Sequence, residues 1–324
     1  MILETERLIL RPWREEDAED LYHHASDPLV GPAAGWPPHT SVENSREIIC
    51  NILSSAENCA VVLKETGEVI GSVGVMKAGS GTAPVREDER ELGYWIGRAY
   101  WGQGLIPEAV RELQRYCFEE LGCAGLWCGY YEGNEKSRRV QEKCGFVPHH
   151  SEENQKCRQM DEYRTEHFTY LSKDQWIFDR AYAHFLVEFG HGKHMVLSTS
   201  EDNRVSSRMM SIVQMNGQFY FQTDAAMKKY AQLKVNPRAA LCINNTQIEG
   251  VCEELSHPKD IPAFSTLYRE VFPGSYDRYS MLENERVFCM KPTFIERWLY
   301  IEGKPYMETM DFARKVYRLI PYMD

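Results

Sequence analysis

Two short stretches hold residues whose types and spacing suit a phosphorylated ligand. The first is Gly102-Gln103-Gly104-Leu105-Ile106, which follows a run from Glu91 to Ile96 and precedes Pro107. Leu92, Tyr94 and Ile96 alternate with Gly93 and Trp95, which is the period of a strand. Proline suits the first helical position, where an N–H would find no acceptor, so the spacing predicts a helix opening at Pro107. Val110, Leu113, Cys117 and Leu121 continue that helix, and Gly122 supplies its stop. A glycine turn that delivers main-chain N–H groups to a helix N-terminus is an anion site, most often for phosphate. A tight strand-to-helix turn with no ligand gives the same pattern.

The second stretch is Asn134-Glu-Lys-Ser137, which follows an expected strand from Leu126 to Tyr131. Asn134 can cap a short helix, Ser137 then falls at its third position, and Gly145 ends it. Glu91 heads the central strand and is the candidate proton acceptor. A carboxylate of ordinary pKa, about 4.3, is a feeble base, so burial or a water chain would have to help it. Ser137 is the candidate donor to a leaving group. The plain alternatives are an exposed strand-end glutamate and a serine that only caps its turn.

The surrounding elements follow from composition and pattern. Thr5 to Arg11 reads as an edge strand, and Glu15 to Ala25 and Glu43 to Ser55 as helices. Ala60 to Leu63 and Val69 to Met76 form a hairpin. Trp36 lies in a proline- and glycine-rich loop, a plain connector or a lid on the acceptor side. Lys77 to Arg90 and Pro148 to Arg164 read as polar loops, and Glu166 to Leu171 as a last strand. Histidines 149 and 150 fall in the second of those loops as solvated residues, and no metal site is expected.

A chain of 324 residues suits about two domains. The net charge of −11 argues against a nucleic-acid or anionic-membrane surface, since both need basic patches. No apolar run reaches about 18 residues, so no membrane span is expected. The 10 cysteines include no Cys-x-x-Cys pair. That spacing favours reduced thiols in the cytoplasm over a disulfide scaffold or a zinc site.

The order of strand, Gly-Gln-Gly turn, helix, strand, Asn-x-x-Ser helix and Lys143-Cys-Gly145-Phe146 resembles the GNAT acetyltransferase superfamily. The branch it is most similar to is that of the ribosomal-protein-alanine acetyltransferases. The resemblance covers residues 1–176. It implies an α/β domain with a mixed central sheet, helices on both faces, and acetyl-CoA as cosubstrate. It also implies that the strand at Tyr94, Trp95 and Ile96 splays from its neighbour and pairs with the pantetheine amides. The diphosphate would rest on the N–H groups of Gly102, Gln103, Gly104, Leu105 and Ile106, with Asn134 and Ser137 beside the cofactor. Trp101 replaces the basic residue with which the family turn usually begins. Ile106 replaces its usual closing Gly or Ala.

Past Trp176 the pattern changes, and strands are expected at Met195–Thr199, Arg208–Met215, Gln218–Thr223, Ala239–Asn244 and Ile248–Leu255. Asn216-Gly217 signals a two-residue hairpin. Lys228 to Val235 and Ile261 to Tyr268 read as helices, and Asp311 to Leu319 as helical cover. Hairpins with one intervening helix suggest a small barrel. Arg208-Met209-Met210-Ser211, then Tyr220-Phe221-Gln222-Thr223, then Lys228-Lys229 resemble the pyridoxamine-phosphate-oxidase-like FMN-binding split barrel, so 177–324 is expected to be a mainly β domain of that kind. The resemblance implies that Lys228 and Lys229 hold the flavin phosphate and that the two strands line the isoalloxazine. It also implies that Gln247 contributes to the site and that two copies pair through this domain. Two adjacent cations beside a Thr hydroxyl suit a phosphate dianion.

The combined expectation is an acetyl-CoA-dependent N-acetyltransferase acting on a primary amine, fused to a flavin-binding domain. The alternative is an FMN oxidoreductase, or a flavin or haem sensor, in which the transferase half is accessory. Deprotonating a lysine at pH 7 costs about 4–5 kcal/mol and an α-amine about 1–1.4 kcal/mol, so a weakly equipped base favours a peptide α-amine or a small-molecule amine of low pKa.

Overall fold

Two units, Met1–Lys173 and Asp174–Asp324, each fold around a sheet of their own. The computed structural model describes residues 2–157 and 159–322. No helix among them is long and apolar enough to cross a membrane.

The first unit runs β1 (Leu3–Glu4), β2 (Leu8–Pro12), α1 (Ala18–Ala25), α2 (Val42–Ile48), β3 (Asn58–Leu63), β4 (Val69–Met76), β5 (Glu89–Ile96), α3 (Leu105–Arg115), β6 (Gly125–Tyr131), α4 (Glu135–Lys143), β7 (Val147–Lys156) and β8 (Tyr163–Ser172). Its sheet has the order β1-β2-β3-β4-β5-β6-β8-β7. The β5–β6 pair is parallel, and the other pairs among the described residues are antiparallel. Strand alternation sorts β2 between the two faces. Ile9 joins Leu21, Ile49 and Val62 under α1 and α2, while Leu8 and Leu10 are buried on the opposite face, where α3 packs.

Three expectations are corrected here. The edge strand at Thr5–Arg11 is a hairpin, closed by Thr5 N–H donating to Leu8 O, and β1 takes the edge. The polar loop at Pro148–Arg164 holds β7 and the start of β8. An edge strand exposed on most of its length needs no apolar alternation, and β7 also carries two register shifts. Helix α3 begins at Leu105, so Pro107 is its third residue. Its first internal bond is Glu108 N–H to Gly104 O, and Pro107 still falls where no donor is needed. Leu121 is exposed because the helix loosens to i→i−5 bonding over Tyr116–Glu120.

The second unit runs α5 (Lys173–Phe189), β9 (Gly192–Glu201), β10 (Arg204–Met215), β11 (Gln218–Asp224), α6 (Lys228–Val235), β12 (Arg238–Ile243), β13 (Thr246–Glu254), α7 (Pro262–Val271), α8 (Pro273–Tyr279), β14 (Glu285–Ile301), β15 (Lys304–Asp311) and β16 (Val316–Pro321). The order β11-β10-β9-β12-β13-β14 closes into a six-stranded barrel because β11 also pairs with β14. Asn216-Gly217 joins β10 to β11 as a two-residue hairpin, with Met215 opposite Gln218. Leu197, Ile212, Phe219, Phe221, Leu241, Ile248 and Met290 fill the barrel, and Phe178, Phe185 and Phe189 of α5 join that core.

The sequence reading assigned neither α5 nor β14. β14 runs 17 residues through Pro292 and a register shift at Glu249/Gly250, which breaks its alternation. The expected helix at Asp311–Leu319 is the β15–β16 hairpin instead. Asp311 Oδ1 accepts N–H bonds from Ala313 and Arg314, each 3.0 Å, an Asx turn whose residues mimic a helical start.

Candidate active site

Strands β5 and β6 pair from Glu89/Gly125 to Leu92/Cys128 and no further. Beyond that point β5 keeps only its β4 ladder and β6 only its β8 ladder. The gap leaves main-chain groups of Gly93–Ile96 without ladder partners on one side. It opens into a cleft of about 1770 Å3, lined by Tyr94, Gly102, Gly104, Tyr131, Asn134 and Ser137 among others.

At one end of the cleft the chain turns through Gly102 (φ 78°) and Gly104 (φ 76°), a left-handed geometry that other residues adopt only under strain. The N–H groups of Gly102 to Ile106 have no acceptor among the described residues. The side chains of Leu105 and Ile106 are buried, so only their main chain faces a ligand. Arg7 secures the turn. It donates to Gln103 O at 3.0 Å and pairs with Glu108 at 2.6 Å. Lys136 Nζ stands 3.7 Å from the Trp101 ring centroid, and Arg139 and Lys143 also line the cleft, so the positive charge missing at position 101 enters from α4.

Glu91 is buried, 4% exposed, which removes the reading of an exposed strand end. Its Oε2 accepts N–H bonds from Thr82 and Ala83, both 2.9 Å. The Lys77–Arg90 segment is therefore tied down over the site. Thr82 Oγ1 lies 3.1 Å from Glu91 Oε1 and 2.9 Å from Oε1 of the buried Glu166. Burial and the Glu166 charge push the Tyr131 hydroxyl pKa up. Trp36 meets Trp95 edge-on at 5.7 Å, so its loop rests against the central strand, and Trp95 stacks on Trp13 at 6.5 Å. The sequence reading missed Arg7, Thr82 and Glu166. Only Gly81-Thr82, a turn pair in a polar loop, hinted at any of them.

Asn134 Oδ1 accepts from Ser137 N–H at 3.1 Å, the expected cap. Ser137 Oγ lies 2.9 Å from Tyr94 Oη and 3.2 Å from Gln141 Nε2. Burial raises the Tyr94 pKa well above its ordinary value. Glu91 and Ser137 thus both border the cleft.

In the barrel unit, strand alternation divides the expected flavin residues. Phe221 is fully buried and stacks on Phe288 at 5.6 Å, and Met210 packs on the same core, so Phe221 could meet a ligand only through its main chain. Ser211, Tyr220 and Gln222 lie on the outer face, toward α7 and α8: Tyr220 packs with Phe264 and Tyr268, and Gln222 Oε1 accepts from Ser280 at 2.8 Å. Met209 is exposed. Arg208 donates to Thr199 Oγ1 at 2.7 Å and to Leu197 O at 3.2 Å and meets no carboxylate among the described residues. Arg208 also donates to Gln232 Oε1 of α6 at 3.3 Å; burial, then the charge of Arg208, lowers the Lys229 pKa, while Glu285 and Asp224 act on it in the opposite sense. Lys228 is exposed beside Lys229, and Thr223 is buried nearby on β11. Gln247 is not with them. It pairs with Glu296 far along β14, whereas Asp224, just before α6, pairs with Glu285 at its start.

Comparison with known proteins agrees with both halves. Residues 7–147 match the acetyltransferase (GNAT) domain, and residues 185–299 match pyridoxamine 5'-phosphate oxidase. An uncharacterised N-acetyltransferase of Bacillus licheniformis, p20, is 39% identical over 126 residues, 37% of this chain and 67% of that one. The uncharacterised N-acetyltransferase YoaA of Bacillus subtilis (strain 168) is 27% identical over 150 residues, 45% of this chain and 82% of that one. YdaF of the same organism, provisionally named a ribosomal N-acetyltransferase, is 46% identical over 57 residues, 18% of this chain and 31% of that one. The chain belongs to the GNAT acetyltransferase family, with a pyridoxamine-phosphate-oxidase-like split barrel behind the transferase domain.

Proposed function

We propose that the first unit transfers acetyl from acetyl-CoA to a primary amine, either a peptide α-amine or a small-molecule amine, and that the second unit binds FMN. The carrying observation is the ladder break after Leu92 and Cys128, beside a turn whose N–H groups are free. Pantetheine would add to Gly93–Ile96 as a strand adds to an open edge, and the diphosphate would take the donors of Gly102–Ile106. The amine nitrogen attacks the thioester carbonyl. A C–N bond forms and the C–S bond breaks, with its electron pair passing to sulfur. The amine proton goes to Glu91, directly or through water. Thr82 Oγ1 could pass a proton on from Glu91 to Glu166, since a hydroxyl accepts and donates at once. Ser137 donates a hydrogen bond to the departing sulfur. The names of the relatives, all N-acetyltransferases, support an amine as acceptor.

The full chain with acetyl-CoA and an amine library tests this reading. Amine-dependent thiol release is expected. Coenzyme A uptake without release for any amine would contradict it.

The FMN reading rests on Arg208, which meets no carboxylate among the described residues and reaches Gln232 of α6, the helix that carries Lys228 and Lys229; Glu285 and Asp224 offset part of the Lys229 charge. Arg208, Lys228, Lys229 and Thr223 would hold that phosphate, and bound FMN would supply two-electron redox chemistry. Gln247, at the other end of the barrel strands, would reach the same flavin only from a second copy, so we propose a dimer through this unit. The cysteines are all free, which suits a reducing compartment, and we place the protein in the cytoplasm. Colour tests the flavin claim: a flavin spectrum supports it. A Soret band, or a colourless protein that takes up no added FMN, would remove it.

A further inference from the structure

Gln141 is 1% exposed and lines no part of the cleft, yet it reaches the one side chain expected to meet the leaving sulfur. Its orientation is fixed by hydrogen-bond bookkeeping. Gly129 O, an acceptor only, lies 3.0 Å from Gln141 Nε2, so the amide nitrogen must face it. Turning the amide over would set two carbonyl oxygens against each other. Gln141 Oε1 accordingly faces Thr169 Oγ1 at 2.7 Å, the shorter of the two contacts open to the single Thr169 hydrogen, the other being Cys128 O at 3.1 Å. The second hydrogen of the same nitrogen is directed at Ser137 Oγ, 3.2 Å away.

Ser137 Oγ is therefore an acceptor toward Gln141. Tyr94 has one hydroxyl hydrogen and two acceptors in reach, Ser137 Oγ at 2.9 Å and Ser137 O at 3.2 Å. If it donates to Oγ, both Ser137 lone pairs are filled. If it donates to the main chain, Tyr94 Oη itself is the only protein acceptor left for the Ser137 hydrogen among the described residues. In the first arrangement the hydrogen of Ser137 is available to a ligand in the cleft that Ser137 lines; in the second it rests on Tyr94 Oη and turns to the ligand when Tyr94 donates to Oγ instead.

We propose that Gln141, braced by Thr169, is a positioning residue that holds the Ser137 hydroxyl as a donor to the sulfur of the departing coenzyme A. This rests on the acetyl-transfer reading above. Ser137 keeps its proton throughout. When the C–S bond breaks, its hydrogen bond stabilises the charge arriving on sulfur, and the proton lost by the amine goes to Glu91. A buried support that fixes a half-buried donor at the cleft wall is how a site keeps such a group aligned before the charge develops.

The test is a double-mutant cycle on the full chain, with kcat and KM for acetyl-CoA read at saturating amine. Ser137→Ala is expected to lower kcat by roughly ten- to hundredfold, the usual loss of one hydrogen bond to a charged group. Gln141→Met, close in volume, is expected to lower kcat in the same direction with KM within about twofold, and to add nothing in the Ser137→Ala background. Thr169→Val keeps Gln141 in place and frees its oxygen. It is expected to give a smaller loss, again silent without Ser137, and it serves if Gln141→Met fails to fold. An unchanged kcat in both support variants, or losses that multiply with Ser137→Ala, would overturn the inference while leaving the role of Ser137 intact. A Ser137→Ala enzyme with undiminished kcat would instead bring down the reading on which it rests.

Discussion

Thr82 holds Glu91 twice, through its N–H on Oε2 at 2.9 Å and through Oγ1 at 3.1 Å from Oε1. A loop that reads in sequence as polar and free is therefore part of the acid–base apparatus. Gly81 permits this, because a Cβ there would stand 1.8 Å from Glu91 Oε2. Thr82→Val is expected to lower kcat by roughly tenfold and leave coenzyme A affinity unchanged, since it removes one hydroxyl and keeps the N–H. Gly81→Ala is expected to cost more in kcat and also to lower the melting temperature, because the loop must lift off Glu91. Steady-state kinetics and thermal melts on the two variants check both.

The turn at Gly104 offers a second check. An alanine at φ 76° costs about 1–2 kcal/mol in that conformation, and the turn relieves the cost by moving. Gly104→Ala is expected to weaken coenzyme A binding by roughly tenfold and to leave KM for the amine unchanged. Calorimetric titration against the parent protein measures the first, and kinetics at saturating acetyl-CoA the second.

Acceptor choice follows from proton cost. Glu91 Oε2 accepts two N–H bonds from the Thr82–Ala83 loop, so one of its two oxygens is already engaged before an amine arrives. A peptide with a free α-amine and no lysine is expected to show a higher kcat/KM near pH 7 than the same peptide blocked at the α-amine and bearing a free lysine. The difference between the two deprotonation costs, about 3 kcal/mol, allows roughly a hundredfold. Preference for lysine would overturn the assignment of acceptor.

Glu285 supplies a pH prediction in the barrel. Burial, then the charge of Asp224, raises its pKa to about 7, against a lowering by Lys229. A carboxyl that binds its proton more tightly when folded stabilises the fold below its unfolded pKa, and that stability is lost as pH rises through about 7. Glu285→Gln is therefore expected to raise the melting temperature at pH 8 relative to the parent and to narrow that gap at pH 5. Melts at the two pH values check the sign.

Much of this was legible in sequence where a local rule acts alone. The Asn134 cap, the Asn216-Gly217 hairpin, α6 and the glycine turn each follow from a few neighbouring residues. What failed depended on distant partners. β7 is an edge with little to bury, β14 runs past Pro292 by way of a register shift, and Asp311 starts a turn that looks helical. In the site, Arg7, Thr82, Glu166 and Thr169 come from segments far apart in the chain, and no spacing links them; Gln141 sits one helical turn past Ser137, but only Gly129 and Thr169 reveal what it does there. Gln222 shows the same limit in the barrel, since only its partner Ser280 reveals that it lies under α8.

The most direct test is a structure of the full chain with coenzyme A bound. The account predicts pantetheine amides paired to the main chain of Gly93–Ile96, the diphosphate within hydrogen-bond reach of the N–H groups of Gly102–Ile106, and the sulfur beside Ser137. A diphosphate held elsewhere, with those donors still turned to water, would contradict it.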